Sequence, residues 1–367
     1  MKKVLVFGMT DNPGGMESCI MNYYRHIDKS KVSFDFLTNF ENMVYSDEVR
    51  KNGSKIFLIP KKGENPIAYK IALNKFFSAY ASQYDVLWYN TCTLANIDYL
   101  IYAKKFGIQK RIIHAHNSGN ESSKIKGIFH FINRHRVMNY ATNFWSCSLA
   151  ASKFFYSETI MSGQKHEIVY NAIDLEKFSF DPEIRKIYRK KLNIDNKFVI
   201  GHIGRFQTQK NHIFLIEIFK ELLTYKDNAI LLLVGQGELE SEIKTRVKEY
   251  GLEKKVLFLG QRNDISNILD AIDIFVFPSL FEGLGIVLVE AQAKGVTCFT
   301  SKNVVPKEVN ITGLVNFIDI NLSAKDWAIK IFQTNITHNN ICLQQSLKNS
   351  NYNIKIEAEK LSIMFKN

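Results

Sequence analysis

An α/β protein of two doubly wound, parallel-sheet domains is predicted by three observations. Short apolar runs alternate with amphipathic stretches of helical length along most of the chain, the pattern of successive β-α-β units. The same pattern begins again near Phe198. A chain of 367 residues also exceeds one ordinary core, because domains usually span roughly 100–200 residues.

In the first half the expected strands are Lys3–Phe7, Val32–Thr38, Lys55–Ile59, Val86–Tyr89, Arg111–His114, Phe144–Ser146 and Glu167–Val169. Each is a short run rich in β-branched or aromatic residues, bounded by polar or glycine-containing segments. Helices are expected between them, among others at Met16–His26, Ile67–Tyr80 and Ile125–Tyr140. In the second half Phe198–Ile203, Ala229–Val234, Val256–Leu259, Ile274–Phe277 and Thr297–Thr300 read as strands. Ile213–Thr224, Leu239–Tyr250, Ile265–Ala271 and Ile286–Ala293 read as the helices among them. Asn171-Ala172-Ile173-Asp174 and the charged helical segment Pro182–Lys191 mark the boundary. The expected division is therefore an N-terminal domain at 1–175, a C-terminal domain at 176–345 and a last helix within 346–367. That helix carries Ile356, Leu361, Met364 and Phe365 at helical spacing and is expected to pack on a domain surface. Open α/β sheets bind ligands beyond the carboxyl ends of their strands, so two of them facing across a cleft would form a two-substrate site.

Composition narrows the class. Hydrophobic residues at 46% and charged residues at 23% suit a globular chain and exclude a disordered one. The odd number of cysteines, Cys19, Cys92, Cys147, Cys298 and Cys342, and the absence of CxxC spacing point to reduced thiols in a cytoplasmic protein. The apolar run Val4–Met9 leads straight into Asp11-Asn12-Pro13-Gly14-Gly15, so it reads as a first strand and not as a signal peptide. No apolar stretch approaches the roughly 20 residues a membrane-spanning helix needs.

The net charge of +12 is uneven: residues 1–175 hold 22 Lys/Arg against 14 Asp/Glu, the remainder 26 against 22. Lys104, Lys105, Lys110, Arg111, Lys124, Lys126, Arg134 and Arg136 cluster around a single acid, Glu121. Such a field attracts phosphates. Anionic lipid headgroups, a diphosphate-linked acceptor, nucleic acid or a merely solvated basic face all satisfy it.

Four segments carry candidate chemistry. Gly204-Arg205-Phe206-Gln207-Thr208-Gln209-Lys210-Asn211 joins a strand to a helix, and its two cations can converge on an anion at the helix N-terminus, where backbone amides favour negative charge. Two solvated surface cations are the alternative. In Phe281-Glu282-Gly283-Leu284-Gly285-Ile286-Val287-Leu288-Val289-Glu290 one glutamate lies in a glycine loop and the other inside an apolar helix. Burial there requires hydroxyl or amide donors. Gly283 and Gly285 permit a turn whose amides, with that of Leu284, can approach phosphate or sugar; helix capping by Glu282 and a structural amide for Glu290 are the alternatives. Gly14-Gly15 opens a helix after the first strand without the spaced glycine fingerprint of dinucleotide binding, and an ordinary tight turn would also account for it. His114-Ala115-His116 follows a strand-like stretch, where a packed histidine is the alternative to a functional one. A zinc site would need further ligands, which no HExxH or cysteine cluster supplies. No Asp-x-Asp sequence is present to chelate a divalent ion with a nucleotide, so no metal and no other cofactor is expected.

Together these residues resemble glycosyltransferase family 4, which has the GT-B fold of two Rossmann-like domains, and above all its bacterial members that build capsular polysaccharide and exopolysaccharide. The resemblance implies a retaining enzyme that binds a nucleoside-diphosphate sugar, with uridine favoured as the base, and transfers a hexose or N-acetylhexosamine to a lipid-linked glycan. Arg205 and Lys210 would hold the diphosphate, Glu282 the donor sugar, Glu290 the ribose and His116 the sugar near the reacting centre. Gly14 and Gly15 would approach the donor phosphate, and Arg262 would lie beside the base. The chain departs from the family in carrying Asn211 where many relatives have glycine after the lysine, and its side chain is expected to cap the following helix. The basic segment, with Ile125, Ile128, Phe129, Phe131 and Ile132, suggests peripheral docking on the anionic inner face of the cell membrane. Nucleic acid is not an expected partner. A GT-B nucleotide-sugar epimerase and a non-catalytic GT-B partner subunit are the competing readings.

Overall fold

The computed structural model describes residues 1–119, 124–334 and 341–366. Glu121 and the Cys342 side chain, both invoked above, lie outside the described parts. Cys19, Cys147 and Cys298 are buried and Cys92 is exposed, and no disulfide joins any two of them. The chain forms two compact units, one built from Met1–Ala172 together with the tail from Ile354 onward, the other from Ile173–Asn353.

Unit 1 contains β1 (Lys2–Phe7), β2 (Val32–Thr38), β3 (Ile56–Leu58), β4 (Val86–Thr91), β5 (Lys110–Ala115), β6 (Asn143–Ser146) and β7 (His166–Ile168). They pair in parallel in the order β3-β2-β1-β4-β5-β6-β7. Unit 2 contains β8 (Phe198–Ile203), β9 (Ala229–Val234), β10 (Val256–Gly260), β11 (Ile274–Phe277), β12 (Thr297–Ser301) and β13 (Val315–Ile318), in the order β10-β9-β8-β11-β12-β13. Both are Rossmann-like, doubly wound sheets. In each the strand order reverses about the first strand, which opens a switch point between β1 and β4 and another between β8 and β11. Such points are where open α/β sheets place their ligands.

Every expected strand is present within a residue or two at its ends. β13 is not foreseeable: Val315-Asn316-Phe317-Ile318 is short and interrupted by an amide, and only its register against β12 makes it a strand. The expected helix Ile125–Tyr140 is an α-helix over Lys124–Arg136 followed by a 3-10 turn over Val137–Asn139. The tail forms a helix at Ile354–Lys366. Rather than lying on a surface it completes the unit 1 core, with Ile354, Ala358, Leu361 and Phe365 buried. The Phe365 ring sits 5.6–5.8 Å from Phe34, Trp88 and Trp145. Ile356, which helical spacing alone would place on the apolar face, is 39% exposed. Among the described residues no helix is long and apolar enough to cross a membrane.

The helix Pro182–Lys191 is fixed to unit 2 by charge. Asp181 caps its first turn, and Arg185 and Arg189 both reach Asp273 at the start of β11. Deeper in unit 2, Lys294 Nζ donates to Asp270 Oδ2 and to the Ser179 carbonyl, each at 2.7 Å, while Asp270 Oδ1 accepts from the Asp181 amide. Lys294 is 2% and Asp270 1% exposed, so this is a dry ion pair, and burial raises the Asp270 carboxyl above the usual range. Lys294 directly follows the helix Ile286–Ala293, whose far end the pair anchors.

Candidate active site

The carboxyl ends of β8 and β11 each continue into a loop and a helix, and the two loops are stitched together. The Leu280 amide donates to the Gln209 carbonyl at 2.8 Å, and Gln209 Nε2 donates to the Phe281 carbonyl at 2.8 Å. The stitch brings Lys210, in the 3-10 turn Thr208–Lys210, against Glu282. Lys210 Nζ donates to Glu282 Oε1 at 2.5 Å and lies 4.6 Å from the centre of the Phe277 ring, a favourable seat for an ammonium. The lysine stem runs over Gly204, where a Cβ would meet its Cγ, Cδ and Cε at 3.2–3.3 Å. A side chain there would require the lysine stem to give by a few tenths of an ångström. Arg205 is half-buried in the same loop.

Asn211 does not cap the helix His212–Leu222 with its side chain, contrary to expectation. Its backbone lies in the left-handed region, φ 54° and ψ 46°. Asparagine tolerates that conformation better than most residues and glycine better still, so both fit the position for a backbone reason.

Glu282 is buried. After it, Gly283 and Leu284 are also buried, and Gly285, at φ 80°, is the N-cap of the helix Ile286–Ala293. The Leu288 amide donates to the Gly285 carbonyl at 2.9 Å, and the amides ahead of it, at the helix start, have no acceptor within the helix. Glu290 projects from the same helix and is half-buried. Burial pushes its carboxyl up to about 7, an effect that Lys177 partly offsets. Among the described residues no hydrogen bond reaches that carboxyl. At the end of β10, Arg262 makes a two-pronged pair with Asp264, at 2.8 and 2.6 Å, which together with Tyr188 holds that carboxyl down at about 2. The arginine head is thus held in one orientation. The structure therefore places Arg205, Lys210, Glu282, Gly283, Leu284, Gly285 and Arg262 on the loops that follow β8, β10 and β11, and Glu290 in the second turn of the helix after β11.

His116 and the Gly14-Gly15 turn belong to unit 1. Gly14 is the N-cap of the helix Gly15–His26, which follows β1, and Gly15 is exposed. His116 follows β5 and is nearly buried. Its Nε2 lies 2.9 Å from Asn90 Oδ1, and Asn90 Nδ2 donates to the Phe7 and Trp88 carbonyls. The Asn90 oxygen must therefore accept, so His116 Nε2 carries the hydrogen. Burial lowers the ring to about 3 and keeps it neutral. His114 packs with its ring 4.1 Å from that of His116.

Sequence reasoning missed Gln209, Phe277 and Asn90. Asn90 and Phe277 sit at strand ends, the ordinary place for function in this architecture, but nothing in their local sequence says which distant side chain each one meets. Among the described residues no group of three or more His, Cys, Asp or Glu could hold a metal ion.

Residues 184–334 match the family described as glycosyl transferases group 1. EpsF of Bacillus subtilis (strain 168), named as a glycosyltransferase, is 32% identical over 341 residues, covering 89% of this chain and 86% of that protein. The UDP-Gal:alpha-D-GlcNAc-diphosphoundecaprenol alpha-1,3-galactosyltransferase of Escherichia coli is 37% identical over 150 residues, 39% of this chain and 38% of its own. Among solved structures, HepE of Anabaena in complex with UDP and glucose superposes with a TM-score of 0.80 at 18% identity, covering all of both chains. The chain belongs to the glycosyl transferases group 1 family and has the GT-B fold.

Proposed function

We propose that the chain is a retaining, metal-independent transferase of glycosyltransferase family 4. It moves a hexose or N-acetylhexosamine from a nucleoside-diphosphate sugar, with uridine the favoured base, to a lipid-linked glycan in capsular or other surface polysaccharide synthesis. One observation carries the reading: an ammonium and a carboxylate 72 residues apart in sequence are brought together at the β8/β11 switch point, beside the amides of a helix start. Lys210 and Arg205 neutralise the diphosphate, whose charge grows as the C1–O bond to phosphate breaks. Glu282 accepts from sugar hydroxyls and Glu290 from the ribose, while Gly283, Leu284 and Gly285 supply backbone amides and Arg262 lies beside the base. The unit 1 residues His116, Gly14 and Gly15 keep the roles the resemblance implies. The acceptor hydroxyl forms the new C1–O bond and passes its proton to the leaving phosphate oxygen. The acceptor class is supported by the Escherichia coli relative, which is named for a diphosphoundecaprenol-linked acceptor.

The test is to incubate purified protein with a panel of UDP- and GDP-sugars and membrane extract, in the presence of EDTA, scoring nucleotide release and labelled lipid. Release that requires the extract, with the anomeric configuration kept in the product, is expected. Turnover of donor alone would indicate an epimerase, and no release with any donor would leave a non-catalytic subunit.

Glu290 gives a pH signature. Its carboxyl stands at about 7, and the charged form accepts hydroxyl bonds more strongly than the neutral one. Donor affinity should therefore rise as pH climbs from 6 to 8, and Glu290→Gln should flatten that dependence while weakening binding by roughly tenfold. Calorimetric titration of UDP-sugar across that range reads both, and an unchanged slope in Glu290→Gln would remove the ribose assignment.

The reading extends to the membrane. The helix Lys124–Arg136 turns polar residues inward: His130 Nδ1 accepts from the Leu94 amide at 3.0 Å, and Asn133 Nδ2 donates to the Leu94 carbonyl at 2.7 Å. Its apolar residues Ile125, Ile128, Phe129, Phe131 and Ile132 are 43–65% exposed, with Lys124, Lys126 and Arg136 also exposed. That inverts the usual pattern of a surface helix and suits insertion between anionic headgroups. Sedimentation with phosphatidylglycerol vesicles should be weakened by salt and cut at least several-fold by Phe129→Ser with Phe131→Ser. Absent or salt-insensitive binding would count against this docking.

A further inference from the structure

Lys210 and Glu282 are ion-pair partners. The pair is 2.5 Å long, and the two side chains are only 16% and 6% exposed, so water screens it weakly. The ammonium also has little room to move. Its stem lies along Gly204, the Phe277 ring lies beneath it, and the Gln209 stitches fix the loop on either side. An anion that draws on this ammonium competes with the Glu282 carboxylate for it.

Substrate and product differ in how they meet that competition. A nucleoside-diphosphate sugar brings phosphate oxygens for Lys210 and hydroxyls for Glu282, so both members of the pair exchange one partner for another. A nucleoside diphosphate brings the phosphates alone, and leaves the carboxylate with a claim on the same ammonium. We propose that Glu282 is a discriminating element for product release: once the sugar has left with the acceptor, the carboxylate draws Lys210 back and weakens the hold on the spent nucleotide. The proposal rests on the donor-site reading above.

The experiment compares the affinity of UDP, with GDP and ADP in parallel, for the parent protein and three variants by calorimetry, with thermal melts to confirm folding. Glu282→Gln is expected to bind the nucleoside diphosphate roughly tenfold more tightly than the parent. Glu282→Asp keeps the charge but withdraws the carboxylate from the ammonium, so several-fold tightening there shows that charge removal is not the cause. With Lys210→Ala as the background, adding Glu282→Gln should change the affinity by less than about twofold, because no ammonium remains to be released. If the parent binds UDP but neither Glu282 variant binds it more tightly, the release role is overturned and the donor site stands. Equal gains with and without Lys210 overturn it as well, by showing simple relief of repulsion. If none of the nucleoside diphosphates binds the parent, the donor site and the release role fall together.

Discussion

Lys210→Ala is expected to lower turnover by about 10²–10³-fold while leaving a folded protein, the usual loss when one preorganised donor to a developing anion is removed. On the proposed donor-site reading, phosphate charge rises most as the sugar–phosphate bond breaks, so the lysine would contribute more in the transition state than in the bound donor. The deficit should therefore fall mainly on kcat, with a smaller change in KM. Glu282→Ala is expected to lose most transfer too, for a different reason: on the same reading the donor sugar would lose its acceptor of hydroxyl bonds, and Lys210 loses its carboxylate partner. Initial-rate measurements with far-ultraviolet circular dichroism separate lost chemistry from lost fold. Near-normal turnover in either variant would refute the site.

The largest expected effect on stability lies away from the chemistry. Lys294→Met leaves Asp270 buried with no counter-charge and should destabilise unit 2 by about 3–5 kcal/mol, as breaking one side of a buried ion pair generally does. The sign with pH follows from the carboxyl. Burial already raises Asp270 above the usual range, and removing the ammonium raises it further. The folded variant then holds a proton that the unfolded chain releases. Its deficit is smallest at acidic pH, where Asp270 is neutral in both states, and grows as pH rises through the folded value. Urea titrations at pH 5 and pH 8 check this, and a deficit that did not widen toward pH 8 would show that Asp270 is not the stranded group. Because Lys294 anchors the far end of the helix carrying Glu290, donor affinity should fall along with stability.

Much of the fold was legible because strands and helices announce themselves by local period. The β8 and β11 runs are apolar and short, and the loops that follow them carry the charged and glycine residues that make a ligand site plausible. Gly285 shows the same legibility at residue scale, since a glycine before an apolar helix suits the positive φ found there. Asn211 shows its limit: a helix-capping residue type sits where a cap is wanted, yet the backbone turns left-handed and the side chain makes no cap bond. The C-terminal helix marks another limit. Its spacing announces a helix, but spacing cannot say that Phe365 inserts among Phe34, Trp88 and Trp145, or that the tail belongs to the unit where the chain began.

By itself, then, the sequence determined the alternation of elements, the place where the second sheet starts, and the charged residues that lie beyond strand ends. Only the tertiary structure decided that Lys210 reaches Glu282 over the Phe277 ring, that Asn90 fixes the hydrogen on His116, and that a helix turns its isoleucines and phenylalanines outward. The reason is physical. Periodicity and turn chemistry act over a few residues, whereas a side-chain partnership across 72 residues exists only once parallel strands have set their order and brought two loops to the same edge.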